Sequence, residues 1–138
     1  MAQTQTVTNT GLAEMALRLS GGASSEVESI VCLNMATPCT AAVGSTFADP
    51  ADTSTHHTDG GLQLANAATV GVDTTTTTGD TITIDHVFTA SETRNVAGVH
   101  ICNNDDDVTF VECCFNAVLA VESGDTVTID AAIVLDQA

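Results

Sequence analysis

Residues 79–88 read GDTITIDHVF, and residues 124–133 read GDTVTIDAAI. Each copy opens on Gly-Asp, the chemistry of a tight turn that launches a strand. Each then alternates: Thr81, Ile82, Thr83, Ile84, Asp85 in one, Thr126, Val127, Thr128, Ile129, Asp130 in the other. A two-residue period belongs to a strand with one wet and one dry face. The alternation puts Ile82, Ile84, Val127 and Ile129 on the dry faces. The two copies start 45 residues apart, too far for one hairpin. The spacing predicts two equivalent strands, one in each sheet of a sandwich, or two strands that converge on a common turn-and-strand pattern.

Outward from this pair, the same grammar continues. A strand is expected from Asn95 to Cys102, a turn at 103–107, and a further strand from Val108 to Phe115. Residues 117–121 connect to the second Gly-Asp turn. Short strands divided by Gly, Asn and Asp turns predict an all-β fold, an antiparallel β-sandwich or jelly-roll-like domain. Upstream, LAEMALRLS (12–20) predicts one short helix, with Leu12, Met15, Ala16 and Leu19 on one face, Asn9 or Thr10 as cap, and Gly21-Gly22 as the stop. EVESIVCLNM (26–35) reads as a strand crossing the core, Val27 in and Glu28 out, ended by Pro38. Residues 44–61 form a long polar loop. The apolar segment 62–72 leads towards the sheet, and Thr74 to Thr78 is strand-compatible. The organisation expected is a polar arm over 1–11 and a single domain over 12–138.

The chain has 138 residues, enough for one domain with a modest core. Four Phe and no Trp or Tyr leave that core to Val, Ile, Leu and Ala. The charge balance is extreme: 18 acidic residues against Arg18 and Arg94, for a formal net charge of −16. Self-repulsion of this kind opposes compactness in dilute buffer. It is screened in brine, where the Debye length falls to about 3 Å at 1 M. The composition predicts a halophilic host and excludes the cationic footprint that direct nucleic-acid binding needs.

Five cysteines, Cys32, Cys39, Cys102, Cys113 and Cys114, are an odd number and do not close a disulfide framework. Cys32 and Cys39 are placed to meet across a turn at Pro38. Cys113 and Cys114 point to opposite faces of a strand, so at least one is expected as a small buried hydrophobe. The opening MAQTQTVTNTG has neither a basic nor an apolar leader segment, so the chain is expected either to stay in the cell until something else carries it out or to have lost a leader; the initial Met favours the first, and release by lysis within a particle fits it. No run reaches the roughly 20 apolar residues of a membrane helix, and no membrane partner is expected.

Candidate chemistry is sparse. His56, His57 and Asp59 combine imidazole and carboxylate in one loop, with Asp49 and Asp52 near in sequence. Asp105 and Asp107 sit in an acidic turn. Either group is a candidate for a structural divalent cation, although adjacent histidines rarely face one ion and the EF-hand spacing is absent. His86 and His100 lie within strands; His100 is placed to pair with Cys113 or Cys114 across a ladder, a packed strand contact rather than a Cys–His catalytic pair. No phosphate loop, nucleophile elbow, zincin helix or dinucleotide fingerprint occurs. No catalytic residue and no cofactor is expected.

The stretch GDTITIDHVFTASETRNVAGVHICNNDDDVTFVECCFNAVLAVESGDTVTIDAAIVL, from Gly79 to Leu135, resembles small β-rich virion structural proteins of tailed phages and archaeal tailed viruses. The shared pattern is a GDT turn with its strand, a glycine-bearing strand, an acidic hairpin, a Phe-containing strand and a second SGDT turn. Such relatives often carry an acidic residue and a glycine in an EVGL stretch where this chain reads VAGVHICN, so no role carries over to Ala97. The resemblance implies a non-enzymatic capsid decoration, turret or tail component located in the virion, with major capsid or tail proteins as partners. The alternative is a receptor-binding module of a tail or spike, with loop 44–61 as its contact surface. A homo-oligomer, a trimer by analogy, is expected. Its contacts would come from the neutral stretches, through Thr4, Thr6, Thr8, Leu12, Met15, Leu19, Leu62 and Leu64, with the arm added to a neighbour's sheet edge.

Overall fold

The computed structural model describes residues 3–22, 26–65, 68–73, 81–103 and 108–135. The first turn of the repeat (Gly79-Asp80), Thr74 to Thr78 and the acidic turn with Asp105 and Asp107 lie outside the described residues.

Among the described residues, eight strands and one α-helix form an antiparallel β-sandwich. In chain order they are β1 (Gln3–Val7), α1 (Asn9–Leu19), β2 (Ser29–Asn34), β3 (Thr55–His56), β4 (Thr69–Asp73), β5 (Thr81–Thr89), β6 (Arg94–Cys102), β7 (Thr109–Val121) and β8 (Thr126–Val134). One sheet has the order β1-β7-β6-β2-β3 and the other β4-β5-β8. Between them lies the main core. Ile30, Val99, Ile101, Cys113 and Phe115 of the larger sheet meet Ile84, Phe88, Val127, Ile129 and Ile133 of the smaller. The repeat's alternation is therefore realised: Ile84 is fully buried, Val127 and Ile129 nearly so, and Ile82 packs at the edge of the cluster.

The two repeat copies do not divide between the sheets. They lie side by side as β5 and β8, antiparallel, with Ile84 opposite Ala131 and Asp85 opposite Asp130. The residues between them are spent on the β6–β7 hairpin in the other sheet. Two neighbours over one core need the same alternation, which is why their sequences agree. The second turn docks on the end of β5: Gly124 N–H donates to Ala90 O at 2.7 Å and Ala90 N–H to Asp125 O at 2.8 Å.

Residues 3–7, expected as an arm for a neighbour, are the edge strand of the chain's own sheet, paired from Gln3↔Phe115 to Val7↔Val111. The helix follows at once, starting at Asn9 and capped by Thr8, whose hydroxyl accepts from Gly11 N–H at 3.0 Å. Thr8 also donates to the Thr109 carbonyl. The hydroxyl that caps the helix thus ties it to β7. Gly11 is required there, because a Cβ would stand 2.6 Å from Phe110 O. In β6 the ladder to β7 shifts register between Val96 and Gly98, and a Cβ on Gly98 would lie 2.2 Å from Cys113 O. β7 runs on to Val121, so residues 117–121 are strand rather than connector. β2 begins at Ser29, three residues later than expected.

Candidate functional site

The larger sheet is covered on its outer face as well. Residues 35–54 fold back over it, and Leu33, Cys39, Ala97 and Cys114 form a second small core beneath them. Cys39 and Cys114 are joined by a disulfide with Cα atoms 5.4 Å apart. The expected partner, Cys32, is instead an unbridged thiol on the inner face, Cys113 is a buried thiol too, and the buried Cys102 Sγ–H donates to Ser29 O at 3.6 Å. Alternation decides this: Cys32 shares the main core with Cys113, whereas Cys114 faces the covering loop. In the apolar interior the Cys32 and Cys113 thiols are pushed up to about 12 and about 11 by burial.

Beside the disulfide runs a chain of polar groups. Glu112 of β7 is directly opposite His100 of β6, and both are completely buried. His100 Nε2–H donates to Glu112 Oε2 at 2.6 Å. The same oxygen accepts from Ala51 N–H at 3.0 Å, and Oε1 accepts from Ser45 O–H at 2.8 Å and Ala42 N–H at 3.0 Å. On its other side, His100 Nδ1 lies 2.9 Å from His56 Nε2, with a proton between the rings, and 3.1 Å from Thr109 Oγ1. The His56 ring, half-buried, packs against Phe47 at 4.2 Å.

Burial alone would raise the Glu112 carboxyl, but hydrogen bonds from His100, Ala51, Ala42 and Ser45 outweigh it and hold the group at about 2. His56 is driven down to about 4, chiefly by burial and then by the neighbouring His100. The carboxylate is therefore charged and fully coordinated while His56 is neutral near pH 7. Three of the four donors to Glu112 come from the covering loop, so one buried anion organises a segment with no sheet ladder of its own. Backbone in the left-handed region at Asp52 (φ 55°) and Thr53 (φ 65°) turns the loop there, and Asp52 Oδ2 accepts from Thr40 N–H at 2.7 Å.

The metal candidates separate. His56 joins His100, His57 Nε2–H donates to Asn95 O at 2.8 Å, and Asp59 pairs with Arg94 at 2.9 Å. Among the described residues no three His, Cys, Asp or Glu side chains gather as metal ligands. His100 pairs with Glu112 rather than with Cys113 or Cys114, one or two residues off the expected register. Glu112 itself escaped sequence reading, because one more acid in a chain with 18 carries no signal. Loop 44–61 is partly built into the domain: Ser45, Ala51, Ser54 and His57 are buried, while Asp49, Asp52, Thr58 and Asp59 stay exposed.

Of the expected oligomer contacts, Thr8 and Leu62 are fully buried inside the chain, Met15 packs on the main core, and Thr4 Oγ1 accepts from Ala41 N–H at 3.0 Å. Thr6 and Leu64 are half-buried. Leu12 and Leu19 stand out in solvent, 54% and 89% exposed.

Compared with family models, curated proteins and solved structures, the chain matches none.

A Glu–His–His chain resembles a proton relay in outline. A relay needs a nucleophile or substrate proton at its end. Here His56 packs against the Phe47 ring, Ser45 O–H donates to Glu112, and Thr109 Oγ1 lies 3.1 Å from His100 Nδ1. Together with the backbone donors of Ala42 and Ala51, these contacts brace the outer loop.

Proposed function

We propose that this protein is a non-enzymatic structural component of a virion, a capsid decoration or turret subunit of a virus of a halophilic archaeon. The observation that carries the reading is the Glu112–His100–His56 chain. The groups most suited to chemistry are consumed in clamping residues 42–51 onto the sheet. Such bracing suits a small domain that must keep its shape outside the cell with few aromatic residues in its core. The pattern from Gly79 to Leu135 supports the viral assignment. The charge of −16 supports the saline setting, where repulsion is screened.

Assembly into a homo-oligomer, with three copies as the working number, is supported by Leu12 and Leu19 on the exposed side of α1. A tail or spike position is the alternative within the same class. Particles purified from lysed cultures, analysed by mass spectrometry and labelled with antibody for electron microscopy, test the reading. Label at regular sites on the capsid supports decoration, and label at the tail supports the alternative. Protein found only in the soluble cell fraction rejects both.

A further inference from the structure

Five strands face three, and the mismatch leaves a cleft. It has a volume of about 690 Å³ and opens between β1 and β8, the edge strands of the two sheets. Its floor is apolar, built by Ile101, Val111 and Phe115 on one side and by Ile129 and Ile133 on the other. Every residue of β8 from Val127 to Val134 lines it, those facing the core and those facing solvent alike. Only a cavity that reaches the backbone edge touches both faces of a strand. That edge is free among the described strands, since β8 pairs with β5 alone. The opposite lip is unusual too. Gln3 and Gln5 pair with Phe115 and Cys113 and so project on the core face, yet both are exposed. They overhang because, among the described residues, no strand of the smaller sheet stands opposite β1.

From this geometry we infer that the cleft is the seat of an added strand: an extended segment of another protein that pairs with β8, sets alternate apolar residues on the cleft floor and presents a lysine or arginine beside Asp130. An open sheet edge next to an apolar floor is what strand addition requires, the edge giving backbone hydrogen bonds and the floor giving side-chain selectivity. Charge identifies the occupant. Asp130 lies directly opposite Asp85 on the solvent face of the smaller sheet, a like-charged pair that a neighbouring cation would relieve. This chain has few cations to give, and both of its arginines already sit among carboxylates. It has no lysine, Arg18 is paired with Glu26, and Arg94 is held by Asp59 and Glu92. A second copy meeting β8 edge to edge would add further carboxylates instead. The inference does not rest on the virion reading, because it concerns the isolated chain.

The test uses the purified full chain at the lowest salt at which it stays folded, so that the charge preference at Asp130 is not screened. The probe is a capped synthetic peptide alternating valine with threonine and carrying one central lysine; its control has aspartate at the centre. Amide chemical shifts are followed during titration. Saturable one-to-one binding of the lysine peptide is expected, with shifts concentrated in β8 and the facing residues of β1. The aspartate peptide should bind roughly fivefold more weakly, the size of exchanging a favourable for an unfavourable cross-strand pair. Gln5→Trp, at an exposed position, fills the cleft and should abolish binding with the spectrum otherwise that of a folded protein. Asp130→Lys should invert the preference between the two peptides. No saturable binding, shifts away from β1 and β8, or full binding by folded Gln5→Trp overturns the inference. So does concentration-dependent self-association that protects the β8 amides, which would make a second copy the occupant. Failure here leaves particle localisation untouched, and absence from particles leaves the peptide result untouched.

Discussion

The two sheets treat their outer faces in opposite ways. The smaller sheet leaves Asp85, Val87, Thr128 and Asp130 in water, so β8 alternates along its length and β5 from Ile84 to Thr89. The larger sheet is buried twice, by the smaller sheet inside and by residues 35–54 outside. β2, SIVCLN, is accordingly buried at five consecutive positions. A strand with two dry faces has no period to display. Stability is therefore unevenly held. The wet sheet depends on one apolar face and suffers charge repulsion on the other. The doubly covered sheet adds a buried anion, a disulfide and a second small core.

Removing the anion should have the largest effect. Glu112→Ala leaves His100 and three loop donors without their acceptor and is expected to cost about 3–5 kcal/mol, the usual result of breaking a buried, hydrogen-bonded charge pair. Chemical unfolding at constant salt measures it. A loss below 1 kcal/mol would mean that the loop is held by something else. Next comes the disulfide. Replacing Cys39 and Cys114 together by alanine should cost about 2–4 kcal/mol, because the bond spans 75 residues of chain. The loop should then show faster amide exchange than β5 and β8.

Acid should separate the sheets as well. His56 is lowered to about 4 in the folded state, so the unfolded chain takes up its proton first and stability falls as pH drops from about 6.5 to about 4. His57, lowered mainly by burial, acts in the same direction. Glu112, held at about 2, contributes stability that is complete above its ordinary value near 4.5 and is lost as pH falls from there to about 2. A His56→Phe variant should therefore show a flatter unfolding midpoint between pH 6.5 and 4, with the lower window retained. Equal slopes in variant and parent would show that His56 does not titrate as its surroundings demand.

The smallest effect belongs to the wet sheet. Asp85→Asn removes one of two facing carboxylates and should stabilise the protein by about 0.2–1 kcal/mol in dilute buffer. The gain should disappear in molar salt, where the Debye length is about 3 Å. Unfolding midpoints across a KCl series provide the measurement. A gain that persists in 2 M KCl would point to packing rather than charge.

The antiparallel all-β sandwich, the short helix and the inward set Ile84, Val127 and Ile129 were legible in the chain itself. Each rests on local chemistry: a two-residue period over a single core, good helix formers before Gly21-Gly22, and the Gly124-Asp125 turn; the helix face itself was not legible, since Leu12 and Leu19 are exposed and only Met15 packs. Partner choice was not legible. Whether the repeat strands adjoin or divide between sheets, whether Cys39 meets Cys32 or Cys114, and which of 18 acids is buried are long-range questions. A carboxylate becomes special only when four donors converge on it, and those for Glu112 come from residues 42, 45, 51 and 100. Local sequence carries the period of a strand and the stiffness of a turn, because both act through neighbouring residues. Pairings across 44 to 75 residues are decided by which faces remain to be covered once the sheets have formed, and only the tertiary structure holds that information.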